Sequence, residues 1–206
     1  MDTTLIPSLF GFVFVACFSP GPNNLLLMSS GALFGWRRTL RHLAGVQFGF
    51  AILVQSAVFG LGSVLDTWPW LLTAVKVGGA TWLVYMAARF LRTAIFNANV
   101  QPESGAQPIS RPFRFYEAVL FQWVNPKAII IALSAAGAFV SISDKLYERA
   151  LLIGGVYLLV GCAASSSWML LGEALNRSMT TGRGARPINA AMGVLLLVTA
   201  ISVLIS

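Results

Sequence analysis

Acidic residues are scarce: seven of 206 are Asp or Glu, and none lies deep inside an apolar run. Chemistry that rests on a carboxylate within an apolar segment therefore has little to use. Histidine occurs once, as His42. The two cysteines, Cys17 and Cys162, sit in apolar runs without metal or redox spacing and read as small hydrophobes. No P-loop, nucleophile elbow or metal-ligand cluster is present, so the residues support neither an enzyme nor a bound cofactor or metal. The N-terminus carries Asp2 and no Lys or Arg before the first apolar run. It lacks the basic start of a signal peptide, and the first helix is expected to be retained.

What the chain has in abundance is apolar sequence. It is 57% hydrophobic and 10% charged, with a mean hydropathy of +0.77. A soluble domain of this size needs more surface charge, so lipid is the expected solvent for much of the chain. The formal charge of +7 is then read through loop asymmetry, and no nucleic-acid partner is expected.

Six windows are long and apolar enough for a spanning helix: Leu5–Leu33, Leu43–Leu65, Trp68–Phe90, Phe115–Val140, Leu146–Leu171 and Ile188–Ile205. A polar, proline-bearing linker at about 96–114 separates repeat 1 (about 1–95) from repeat 2 (about 115–206). Arg37, Arg38, Arg41, Arg89, Arg92, Arg111, Arg114, Arg177, Arg183 and Arg186 fall on one side; Lys145 and Arg149 fall on the other. The positive-inside rule puts the first group inside and both termini outside. Trp68 and Trp70 suit an outer aromatic belt, and Trp36 an inner one.

Each half holds three windows, an odd number, so the second half is inverted relative to the first. The first window of each half carries proline: Pro20 and Pro22 in one, Pro126 in the other. The expected fold is all-α and integral to the membrane. It has six transmembrane helices in two inverted three-helix repeats, with helices 1 and 4 interrupted near the midplane. Matched interruptions of this kind mark transporters whose site lies where the breaks meet.

Proline has no N–H and clashes with the carbonyl four residues earlier. Pro20 and Pro22 should free the carbonyls of Ala16 and Phe18, and Pro126 that of Gln122. Asn125-Pro126 reads as an N-cap followed by the first helical residue, and Ser19-Pro20 or Gly21-Pro22 reads likewise. Two half-helix N-termini would then face one site and favour a carboxylate. The freed carbonyls favour a cation such as an α-ammonium. Asn23, Asn24, Gln122 and Asn125 cluster there, either to bind substrate or to satisfy broken backbone. Lys127 lies about 18 Å along the fourth window at 1.5 Å per residue. A lysine at that depth costs roughly 2.5–3.5 kcal/mol and needs a cavity or a partner. A substrate carboxylate would be its counter-ion; backbone carbonyls are the alternative. Lys76 is shallower and can snorkel outward past Trp70. His42 lies among arginines and reads as a surface anchor, with proton relay the second reading. Glu117, His42 and Lys127 are the candidates for coupling, with Lys76 as a further residue that would couple or support them. Gly31-x-x-x-Gly35 and Gly45-x-x-x-Gly49 allow close helix approach, within one protomer or in a homodimer. Ala164–Trp168 is a small polar stripe suited to packing.

Two stretches carry a family resemblance. "SPGPNNLLLMSSGALFGWRRTLRHLAG" resembles the first signature of the LysE/RhtB amino-acid exporters, and "FQWVNPKA" (Phe121–Ala128) their second. The Pro-Gly-Pro-Asn-Asn form with Leu43-Ala44-Gly45 looks closest to the cysteine and O-acetylserine subgroup. Thr39 and Trp82 stand where many members have Gly and Tyr. The resemblance implies a secondary transporter, an antiporter driven by the proton gradient. It would export small amino acids or derivatives such as cysteine, O-acetylserine, threonine or homoserine across a bacterial inner membrane. Both termini would be periplasmic. The conserved breaks map onto Pro20, Gly21 and Pro22 and onto Asn125, Pro126 and Lys127. Rival readings are an exporter of metal or other small ions on the same fold, and a membrane subunit without transport.

Overall fold

A computed structural model describes residues 1–96, 111–175 and 185–205. Most of the linker, together with Arg177 and Arg183, lies outside the described residues. The described elements are helical: α1 (Ile6–Phe18), α2 (Pro22–Ser56), α3 (Gly62–Thr67), α4 (Pro69–Phe96), α5 (Phe115–Val124), α6 (Pro126–Ala138), α7 (Leu146–Ala174) and α8 (Ala185–Ile205). Short 3-10 turns lie at Thr3–Leu5 and Val140–Ile142, and a π-helical turn at Ala57–Leu61.

Three helical stretches are long and apolar enough to cross a bilayer: Pro22–Thr67, Pro69–Arg92 and Leu146–Ala174. The pair α5 and α6, bent by 69°, makes a fourth if it is one span. Thr3–Phe18 and Asn189–Ser202 are shorter apolar helices. Large apolar side chains cover the outside: Phe14 is 55% exposed, Leu151 72% and Leu159 65%. So much exposed apolar surface is stable in lipid and not in water. The chain is an integral membrane protein.

The first two expected windows were separated by a basic loop. The structure corrects this. Helix resumes at once after Gly35, so Arg37, Arg38 and Arg41 lie in its first turns. Gly35 has φ 75° and ψ 162°, a left-handed conformation that favours glycine. The chain reverses there. Ser30 Oγ and His42 Nδ1 are 3.0 Å apart, although twelve residues of unbroken helix would separate them by about 18 Å. Residues 22–34 and 36–56 therefore form a helical hairpin, and Gly35 is a turn glycine rather than a packing glycine.

The hairpin packs against α7 and α5, α1 packs on α7, and α4 pairs with α8. Glycines set the closest approaches. Gly31 sits on the Met169 carbonyl and Gly172 on the Met28 carbonyl, a reciprocal contact between hairpin and α7. Gly45 and Gly49 lie against the backbone of Phe115 and Val119 in α5. These small residues form seams within one protomer. Two apolar clusters flank the breaks. One gathers Leu9, Val13, Leu53, Ala132 and Ile153; the other gathers Leu25, Leu83, Met86, Met192 and Leu196. At one end of the molecule, Asp2 N donates to Ile142 O at 2.9 Å, which ties the N-terminus to the α6–α7 turn.

A side chain at Gly172 would enter the Met28 backbone. Gly172→Val is expected to destabilise the protein by about 1–3 kcal/mol, read as a lower thermal midpoint in detergent. Gly137, with open space around its Cα, is the control, and Gly137→Ala should leave the midpoint in place. An unchanged midpoint for Gly172→Val would contradict the close contact.

Candidate functional site

The two breaks have different backbones. α1 ends at Ser19 (φ −60°, ψ 140°), and Gly21 is extended before Pro22 opens α2. The helix start is therefore Gly21-Pro22 and not Ser19-Pro20. In the second break a single residue, Asn125 (φ −91°, ψ 101°), separates α5 from Pro126 at the start of α6.

Side chains take up the orphaned carbonyls of the first break. Asn24 Nδ2 donates to Cys17 O at 2.8 Å and to Ser19 O at 2.9 Å. Ser19 Oγ donates to Ala16 O at 3.0 Å. Lys127 reaches across from α6 and donates to Ser19 O at 3.0 Å, Ser19 Oγ at 2.8 Å and Pro20 O at 3.0 Å. The carbonyls that Lys127 takes are those of Ser19 and Pro20 rather than the expected Ala16 and Phe18, and the cation on this break is the protein's own. Gly21 makes this reach passable, because a Cβ there would come 2.7 Å from Lys127 Nζ.

A second bond pair joins the two breaks. Asn23 Nδ2 donates to Gln122 Oε1 at 2.7 Å, and Gln122 Nε2 returns a bond to Asn23 Oδ1 at 3.2 Å. Gln122 also donates to Ala118 O and is fully buried. Asn23 and Gln122 thus satisfy each other across the breaks, and Asn23 also lines the cavity between them. Asn125 differs. It is 2% exposed, makes no side-chain cap, and its Oδ1 has no partner among the described residues. Such a buried acceptor is costly unless a donor arrives.

Between the breaks lies a cavity of about 70 Å³, lined by Gly21, Asn24, Gln47, Asn125, Lys127 and Ser165 among others. A larger groove of about 840 Å³ runs between α1, α6 and α8. Ser19, Pro20 and Lys127 line the groove, and Lys127 lines the cavity as well. The Lys127 bridge therefore stands at the boundary between them.

Gln47 escaped the sequence reading, although a glutamine inside an apolar window is a legible signal. Its Nε2 donates to Gly161 O at 3.0 Å and Ser165 Oγ at 2.8 Å. Both donations use Nε2, which leaves Oε1, packed over Gly161, as an acceptor. Ser165 belongs to the polar stripe of α7, which thus serves the cavity as well as packing.

Of the coupling candidates, Lys127 lines the cavity, while Glu117 and His42 do not. Glu117 is held by Arg111 through two 2.7 Å bonds and accepts from Arg114 N, closing the N-terminus of α5. His42 is not a surface anchor: it is 1% exposed, bonded to Ser30 and stacked on Phe113 with centroids 5.1 Å apart. The Gly35 reversal covers it. Lys76 is half-buried on α4 and lines neither cavity nor groove.

The family model for the LysE type translocator matches residues 14–206. The chain belongs to this family. It is a transporter and not an enzyme. Among similar proteins are the cysteine/O-acetylserine efflux proteins of Escherichia coli strain K12 and Shigella sonnei strain Ss046, each 26% identical. The protein of that name from Salmonella choleraesuis strain SC-B67 is 24% identical. Each comparison covers 98% of this chain and 99% of the relative. No solved structure matches the chain. In this translocator the amide pair between the breaks is open to a direct test. Asn23→Ala leaves the buried Gln122 Oε1 without its donor, and Gln122→Ala leaves the half-buried Asn23 amide without its partner, at a cost of about 1–3 kcal/mol each. The double substitution is expected to cost less than the sum. Additive thermal midpoints would show that the pair does not join the breaks.

Proposed function

We propose that this translocator exports small amino acids or their derivatives, and that the cavity between the breaks is the substrate site. The observation that carries the proposal is the convergence of two half-helix starts, Lys127 and two acceptor amides on the cavity between the breaks. The N-termini at Pro22 and Pro126 with Lys127 suit a carboxylate. Asn125 Oδ1 and Gln47 Oε1 suit hydrogen-bond donors elsewhere on the substrate. Gly21 and Pro22 shape one wall, and Asn125 and Ala128 the other, with Pro20 and Pro126 fixing the backbone beside them. Asn24 keeps the first break in its bent form. The names of the relatives favour cysteine or O-acetylserine as substrates.

The proposed architecture is six spans in two inverted three-helix repeats. α1 with residues 22–34 would be span one, and α5 with α6 span four. The packing of α2 on α5, of α1 on α7 and of α4 on α8 supports this reading. The two halves would rock about the cavity. We place the protein in a bacterial inner membrane with both termini periplasmic, and take the proton gradient as the driving force.

Proteoliposomes test this directly, with a panel of labelled amino acids that includes cysteine and O-acetylserine. Movement of at least one is expected, faster when the side that corresponds to the periplasm is acidic. No movement of any would refute export, and indifference to the gradient would refute proton coupling. Gln47→Leu removes one acceptor for a substrate donor and should raise KM about tenfold, with a lower thermal midpoint because Gly161 O and Ser165 Oγ lose their donor. An unchanged KM would remove Gln47 from the site.

A further inference from the structure

Three oxygens converge on the Lys127 nitrogen: Ser19 Oγ at 2.8 Å, and the carbonyls of Ser19 and Pro20 at 3.0 Å each. A primary ammonium has three N–H donors, so the count matches. The carbonyls precede the first helical acceptor of α2, since Leu25 N bonds to Gly21 O. The break therefore denies them a helical partner and aims them at one point. The lysine that fills this point enters from the other half of the chain, 107 and 108 residues away in sequence. It lies over the bare Cα of Gly21, on the boundary between cavity and groove.

We propose that Ser19 and Pro20 form a binding site for a primary ammonium, and that Lys127 occupies it in place of the substrate's own amino group. The proposal rests on the amino-acid reading above and adds the order of events to it. A zwitterion brings no net charge. When it enters, its carboxylate offers Lys127 a counter-ion and its ammonium offers the three oxygens a replacement. After the exchange the oxygens still hold one cation, and Lys127 holds a carboxylate instead of backbone. Neither charge is left unpaired at mid-membrane, where an unpaired charge is costly. A carboxylic acid without an amino group cannot complete the exchange, because once Lys127 moves it leaves Ser19 Oγ and Pro20 O without a donor and Ser19 O with Asn24 alone. A quaternary ammonium cannot complete it either, because it has no N–H to donate.

The purified full-length protein in detergent tests the site without a known substrate. In Lys127→Ala the oxygens lose their cation, and methylammonium chloride is expected to give a saturable rise in the thermal midpoint. Tetramethylammonium chloride should give none, and wild type should respond to neither. Lys127→Met keeps the bulk of the stem and serves if the alanine variant does not fold. A response in neither variant, or an equal response in wild type or to tetramethylammonium, overturns the site. In proteoliposomes, any amino acid that is carried should lose its transport on N-acetylation, and retained transport overturns the exchange. The two proposals fail separately. A panel without transport but with methylammonium rescue removes the exporter and keeps the ammonium site; transport without rescue does the reverse.

Discussion

Backbone that leaves a helix inside a membrane must find partners within the protein, because lipid supplies none. In this chain the first break is the demanding one. Proline removes donors at positions 20 and 22, and the carbonyls of Ala16, Cys17, Ser19 and Pro20 are answered by side chains. Asn24 and Ser19 act locally. Lys127 comes from the other half, so the first break is complete only when the second is in place. The Asn23–Gln122 amide pair adds a second tie. The site is thus a joint between two halves rather than a pocket within one.

Close packing holds that joint. Gly31 and Gly172 let the hairpin and α7 touch backbone to backbone, and Gly79 brings α4 against Val124 and Pro126. With no water to drive apolar association in lipid, this contact and the interhelical hydrogen bonds supply the cohesion. Gln47 and Gln55 repeat one motif at two depths. Each donates to a carbonyl of α7 and lies where a glycine of α7, Gly161 or Gly154, lacks a side chain. At the deeper position the motif borders the cavity, and a packing device also furnishes an acceptor.

Much of the site was legible because its signals are local. Proline and glycine punctuate the apolar windows, Asn125-Pro126 starts a helix by its own chemistry, and a lysine far from any interface demands a partner. The misread residues are those whose environment comes from a distance. His42 sits among arginines in sequence but is covered by residues 22–34 and Phe113. Glu117 could have coupled protons, yet Arg111 and the α5 N-terminus claim its carboxylate. Gln47 was passed over because a single glutamine in an apolar run does not disclose which helix faces it.

By itself the sequence determined that this chain lives in lipid, that two of its apolar windows are interrupted, and that a cation lies beside one interruption. These follow from composition, from the missing N–H of proline and from the rise of a helix, none of which needs a neighbour. Tertiary structure alone decided what the cation touches. Three oxygens of the first break hold Lys127, because helix packing brings the two halves together and the bare Cα of Gly21 leaves the stem a path.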